Sequence, residues 1–369
     1  MSNRSTQPDL LYSEEEEALR SAVRDLLADH SDAATVLARV ETDQPHDRAL
    51  WKNLAESMGL AGLLVPEERG GQGATHREAA VVLEELGRAV TPVPYLTSAV
   101  IATEALLGCD TEEAGTLLAS LASGRTVGAL AVPLSAAPGT EFADVRAADA
   151  ALTGRVTAVA DATAADVYLV PTPDGLYAVD ATAGGVTVEP HISFDRTRPL
   201  AAVTFEKATG RLLTADAAPA VRRALRAGAG LLVSEQLGLA DWLLTETVRY
   251  TRERNQFNRP VGSFQALKHR LAQLWLEVVN TRAAARNAAD ALATAADDTD
   301  LAVAVAQAYA APVAVRAAEE ALQLHGGIGM TWEHPIHLYL KRAKADSIAL
   351  GTAGHHREEL AGLVDLRAG

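Results

Sequence analysis

Cysteine is almost missing from this chain. The one thiol, Cys109, excludes an intramolecular disulfide in 369 residues and suits a reducing cytoplasm. Aromatic residues are scarce at 4%, so the core has to be built from Ala, Leu and Val, which suits close helix–helix packing. Positive charge is in deficit: 33 Lys and Arg against 48 Asp and Glu leave a net charge of −15. That balance argues against general affinity for nucleic acid or an anionic membrane, but it leaves room for a local basic site. Long apolar runs are lacking too. The Ala- and Val-rich stretch 302–315 is interrupted by Gln307 and Pro312, so no bilayer span is expected. The polar start runs into Glu14–Glu17 and offers no signal peptide.

What is present falls into three parts, and the length allows two or three domains. Residues 1–123 read as a helical domain. Ser13 and Glu16 form a capping box ahead of Leu19, Val23, Leu26 and Leu27, and Thr75 and Glu78 form another ahead of Val81, Val82 and Leu86. Residues 124–212 switch to short β-type runs (126–132, 166–170, 176–179, 186–188 and 201–205) punctuated by Pro, Gly and Asp. Such spacing predicts an antiparallel barrel or sandwich. From 213 to 369 the helical period returns, with long segments at 217–254, 263–294 and 299–325 that read as an antiparallel bundle. No tandem repeat is found, and the Ala-rich stretch 289–304 reads as the tip of a helical hairpin.

Two runs carry chemistry. The first is Tyr250-Thr-Arg-Glu-Arg254-Asn-Gln256-Phe257-Asn-Arg-Pro260-Val-Gly-Ser-Phe-Gln265; the second is Leu322-Gln323-Leu-His325-Gly326-Gly327-Ile-Gly329. In this order, within a helical C-terminal half, they resemble the flavin-binding signatures of the acyl-CoA dehydrogenase family. The loop Val65-Pro66-Glu67-Glu68-Arg69-Gly70-Gly71 is similar to that family's N-terminal Pro-Glu-x-x-Gly-Gly loop. The resemblance implies a mainly α fold with a central small β-barrel, and FAD shared between neighbouring subunits. Arg254 then suits the pyrophosphate, because a guanidinium binds phosphate in bidentate fashion. Gln265 and Gln323 offer amides, Gly326 and Gly327 let backbone come close, and Phe257 packs against the cofactor's rings. Thr352 follows in the Gly351-Thr352 pair. Taken alone, Arg252, Arg254 and Arg259 also read as a solvated face, and Gly326-Gly327 as a helix cap. His334 and His337 share a helical spacing but lack a third ligand, so no metal site is expected.

The sequence departs from the family where the chemistry is done. Removing the α-proton of an acyl thioester needs a carboxylate within hydrogen-bond reach. The family supplies a Glu from one of two places, and these hold Leu350 and Gly228 here. The family's Thr-Glu-Pro segment beside the flavin ring appears as Ala131-Val132-Pro133, and its Trp-containing turn as Val159 to Asp166. Phosphate-side residues survive while ring-side residues are gone. In this the chain resembles the β-type subunit of actinobacterial heterotetrameric acyl-CoA dehydrogenases, several of which act on steroid side-chain thioesters. The stretches Trp332 to Tyr339 and His355-His356-Arg357 add to that likeness.

Three readings follow. The chain is the base-less subunit that completes a catalytic partner's FAD site; or a self-sufficient homo-oligomer with a base relocated to Glu235 or Asp161; or a non-redox relative that binds an acyl thioester. Glu235 lies two helical turns from Gly228, about 10 Å along the axis, which weakens it as a base. The resemblance implies an acyl-CoA substrate and an electron-transfer flavoprotein as acceptor, with no nucleic-acid or membrane partner.

Overall fold

The computed structural model describes residues 10–366. Its first half is set by caps. The Ser13 hydroxyl accepts from Glu16 N–H at 3.1 Å, and the Glu16 carboxylate accepts from Ser13 N–H at 2.6 Å, which starts α1 (Glu14–His30). Val23 and Leu27 are buried on its inner face, with Leu19 and Leu26 packed beside them. Next come α2 (Ala33–Val40) and α3 (Arg48–Lys52), then α4 (His76–Ala89), opened by the Thr75–Glu78 box. A wide π-type segment, Tyr95–Ala102, runs into α5 (Thr103–Leu107), and α6 (Glu112–Ala122) follows.

Eight strands come next: β1 (Gly128–Leu130), β2 (Val145–Ala148), β3 (Ala151–Ala160), β4 (Val167–Thr172), β5 (Gly175–Asp180), β6 (Val186–Pro190), β7 (Leu200–Thr209) and β8 (Arg211–Thr214). They make two four-stranded sheets, ordered β1-β4-β5-β8 and β2-β3-β7-β6. Tyr168 on β4 and Phe205 on β7 meet edge-on at 6.2 Å and join the sheets through their buried faces. The expectation of a wholly antiparallel layer needs one correction. β1 pairs with β4 in parallel, Gly128 opposite Val167, because the chain visits the second sheet between them.

The C-terminal half is a bundle of α7 (Ala217–Glu253), α8 (Gln265–Thr294) and α9 (Thr299–His325), completed by α10 (Ile336–Asp346) and α11 (Ala353–Leu363). Between α7 and α8 stands a short hairpin of β9 (Asn255–Gln256) and β10 (Arg259–Pro260). Thr299–Met330 is long and apolar enough to pass as a bilayer span, contrary to the expectation from composition. Its small apolar residues Ala306, Ala310, Ala314 and Ala317 instead form the bundle core with α7 and α8. Scarcity of large side chains shows most where α4 crosses α7. A Cβ on Gly238 would stand 1.9 Å from Glu84 O, and one on Gly87 2.2 Å from Glu235 O, so the two backbones touch with nothing between them.

One polar network is sealed inside. Arg198 donates to Glu235 on α7 and to Asp346 at the end of α10, while Arg342 reaches Glu235, Asp195 and Thr197. Five charged side chains, none more than 6% exposed, thus fasten the loop before β7 to the bundle.

Candidate functional site

Residues expected at the cofactor fall into two groups. α7 and α9 run the same way and α8 runs back, so the end of α7, the start of α8 and the end of α9 share one end of the bundle. Arg254 caps α7: its N–H donates to Tyr250 O and its carbonyl accepts from Val261 N–H, both at 2.8 Å. Its guanidinium is exposed and has no hydrogen-bond or ion-pair partner among the described residues. Gln265, the first residue of α8, and Gln323, in the last turn of α9, are exposed as well. Gly326 turns the chain with φ +61°, and a Cβ on Gly326 or Gly327 would meet nothing within 4 Å. The end of α9 is pinned to α7 by Tyr250, which stacks on His325 at 4.3 Å and donates to its carbonyl at 3.2 Å.

Phe257 sits at the hairpin tip and is 86% exposed. Phe257 and Asn258 both have positive φ, +53° and +59°, the pattern of a two-residue I′ turn that favours Asn or Gly. A phenylalanine held there in water gains nothing locally, since only its edge touches Phe264, at 6.1 Å. Thr352 belongs elsewhere. It caps α11 by accepting from His355 N–H, at the rim of a groove of about 570 Å³ beside Pro312 and Arg316. Pro312 precedes Gly326 by fourteen residues of helix, roughly 20 Å.

The two expected base positions meet. A Cβ on Gly228 would stand 2.8 Å from Ile101 Cγ1 and 3.2 Å from Leu350 Cδ1. Leu350 is buried with φ +55°, and its N–H donates to Leu134 O at 2.7 Å. Around it Ile101, Leu130, Val132, Leu134 and Leu225 leave a cavity of only about 20 Å³, and no carboxylate lines it. That is room for about one water and not for an acyl chain.

Neither relocated base is free. Glu235 gives both oxygens to Arg198 and Arg342 at 2.5 Å. Burial alone would raise its carboxyl, but the two guanidiniums overcome this and hold it below the usual range. Asp161 accepts from Thr97 at 2.7 Å and pairs with His46 Nε2 at 2.9 Å. Burial is again outweighed, here chiefly by His46, and its carboxyl is lowered. The sequence shows the acids but not the distant partners that occupy them. His334 and His337 do not combine either: His337 stacks on Trp332 at 4.3 Å with Nε2 3.1 Å from Trp332 O, whereas His334 faces His325, ring centres 4.8 Å apart.

Residues 13–125 match the family model described as acyl-CoA dehydrogenase, N-terminal domain, and residues 218–363 the one described as acyl-CoA dehydrogenase, C-terminal domain. Acyl-CoA dehydrogenase IpdE2 of Mycobacterium tuberculosis is 36% identical over 336 residues, covering 89% of this chain and 91% of that one. The chain belongs to the acyl-CoA dehydrogenase family. Among solved structures it superposes on the ChsE4-ChsE5 complex from Mycobacterium tuberculosis with a TM-score of 0.88 and 27% identity, covering 98% of this chain and all of that one. A variant of the Tcur3481-Tcur3483 steroid ACAD gives 0.83 and 31%, with 95% and 98% covered.

Family membership makes the chain an oxidoreductase by descent and gives the geometry its meaning. FAD is the family's cofactor, and the residues expected at it fit such a ligand: a guanidinium and two amides without partners among the described residues, and glycine backbone open to a ligand. The two positions expected to hold a base, Leu350 and Gly228, carry no acid and adjoin a narrow cavity lined mostly by apolar side chains.

Proposed function

We propose that this chain is the base-less subunit of an FAD-dependent acyl-CoA dehydrogenase and completes a flavin site held chiefly by a catalytic partner subunit. The observation that carries this reading is the meeting of Leu350 and Gly228 over a cavity of about 20 Å³, while Arg254, at the far end of α7, is exposed and without a partner among the described residues. Arg254 binds the partner flavin's diphosphate, Gln265 and Gln323 donate to it, Gly326 and Gly327 present backbone, and Phe257 covers the rings. Thr352 contacts cofactor on the other side of the subunit. A bound flavin would supply a hydride acceptor for the β-hydrogen and the partner's carboxylate would take the α-proton, while this chain's Arg254, Gln265 and Gln323 would hold the cofactor and its packing would exclude water. Both solved relatives are named as pairs, and one as a steroid ACAD, which supports an unlike partner and a steroid-type acyl-CoA thioester. In this reading the assembly is cytoplasmic and passes electrons to an electron-transfer flavoprotein.

Co-expressed with its cognate catalytic subunit, the chain is expected to give a tetramer with one FAD per pair of unlike chains, by flavin absorbance and light-scattering mass. One FAD per copy of the chain expressed alone would instead restore the self-sufficient homo-oligomer, and a complex that never carries flavin would favour the non-redox relative. Within the active assembly, Arg254→Ala removes one charge-assisted phosphate contact worth about 1.5–3 kcal/mol. Flavin retained after gel filtration should fall accordingly; unchanged content would remove Arg254 from the site.

A further inference from the structure

Glu246 on α7, His325 at the end of α9 and His334 ahead of α10 bring one ligand atom each within 4.8 Å of one another. His325 is 2% exposed. Its Nδ1–H donates to Ala321 O at 2.7 Å, so Nε2 carries the lone pair. That Nε2 is buried and without a hydrogen-bond partner among the described residues. Buried polar atoms are nearly always satisfied, and an unpaired imidazole nitrogen facing a second imidazole and a carboxylate calls for an acceptor of its lone pair. An imidazole whose other N–H is held by a backbone carbonyl is the form in which histidine binds metal ions.

We propose that Glu246, His325 and His334 form a divalent-cation site of zinc type, tying the α9–α10 connection to α7. Two imidazoles, one carboxylate and a water make a four-coordinate set that suits zinc. Zinc–nitrogen bonds of about 2.0–2.1 Å put neighbouring ligand atoms about 3.3 Å apart, so the three groups must close by up to about 1.5 Å from the 4.8 Å within which they lie. The structure leaves that freedom. His334 is half-buried on a non-helical segment, and its Nδ1 accepts only a long 3.4 Å contact from Ile336 N–H. Glu246 is held by Arg249 at 2.9 and 2.5 Å, but the arginine side chain is 57% exposed, and such exposed pairs yield easily. Tyr250, stacked on His325, fixes the plane of the one ligand that cannot move. The site does not depend on the flavin assignment, although Gly326 and Gly327 lie between two of its ligands.

The test is Zn²⁺ titration by calorimetry on the full chain after dialysis against EDTA, with Co²⁺ absorption as a spectroscopic check. About one ion per chain should bind at micromolar affinity or tighter and raise the thermal midpoint. His334→Ala, a half-buried change compatible with folding, should weaken binding about a hundredfold, and His355→Ala should leave it alone. Arg249→Ala should tighten binding several-fold, because it frees the Glu246 carboxylate. The proposal is overturned if His334→Ala binds as the parent does, if His355→Ala abolishes binding, if Arg249→Ala fails to tighten it, or if no ion binds.

Discussion

Arg198→Ala lowers the free energy of unfolding by about 3–5 kcal/mol, the usual consequence of removing one partner from a buried ion network. The guanidinium is 6% exposed and serves Glu235 and Asp346 together, so its loss opens a gap at the joint between the β7 loop, α7 and α10 and leaves Arg342 alone to offset the buried Glu235 charge. Asp346→Asn should cost far less. Burial, then the neighbouring Glu235 charge, push the Asp346 carboxyl well above its ordinary 3.8, and its Oδ2 has no hydrogen-bond partner among the described residues to lose. The pH signs are opposite for the two acids. Glu235, with its folded pKa below 4.5, contributes stability that is complete above that value and lost as the pH falls through its folded pKa. Asp346 contributes stability that is present below 3.8 and lost as the pH rises through its raised folded value. Urea midpoints measured across pH should therefore fall on both sides for the parent chain, and Asp346→Asn should flatten the high-pH side alone. A parent curve that keeps rising toward high pH would contradict the raised Asp346 carboxyl.

Leu350→Glu restores the family's acid and should still yield no dehydrogenase. The carboxyl enters a narrow apolar cavity of about 20 Å³, where burial favours its protonated form, and costs about 2–4 kcal/mol of stability. Gly228→Glu fares no better, since its Cβ alone meets Ile101 at 2.8 Å. Proton abstraction needs the base and the substrate carbon within hydrogen-bond distance, and the acyl group has no room to reach either position. Anaerobic addition of an acyl-CoA to each isolated variant should leave any flavin unbleached. Bleaching in either would show that the cavity opens and that only the base was missing.

Much of this was legible before the coordinates. The helices of the bundle follow the 3.6-residue apolar period closely, so 217–254, 263–294 and 299–325 nearly coincide with α7, α8 and α9. β2 and β3 escaped because Val145–Ala160 is Ala-rich and broken by Asp149 and Gly154, without the aromatic β-formers that mark Tyr168 or Phe205. The exposed residues expected at the cofactor could be named from motifs, because a motif is local. What surrounds Glu235 and Asp161 could not: their partners Arg342 and His46 lie more than a hundred positions away. The same limit hid Glu246 beside His325 and His334, and hid Gly228 against Leu350.

The seam between α4 and α7 acts as a fulcrum. Steel-like contact at Gly87 and Gly238 leaves no side chain to compress, so α7 cannot rock there by repacking. From Gly238 the helix runs sixteen residues to Arg254, a lever of about 24 Å, and a tilt of about 5° would swing its tip by about 2 Å. A shift that large breaks any hydrogen bond made at the tip. The stiffness of one glycine contact deep in the protein therefore sets the aim of an arginine at its surface.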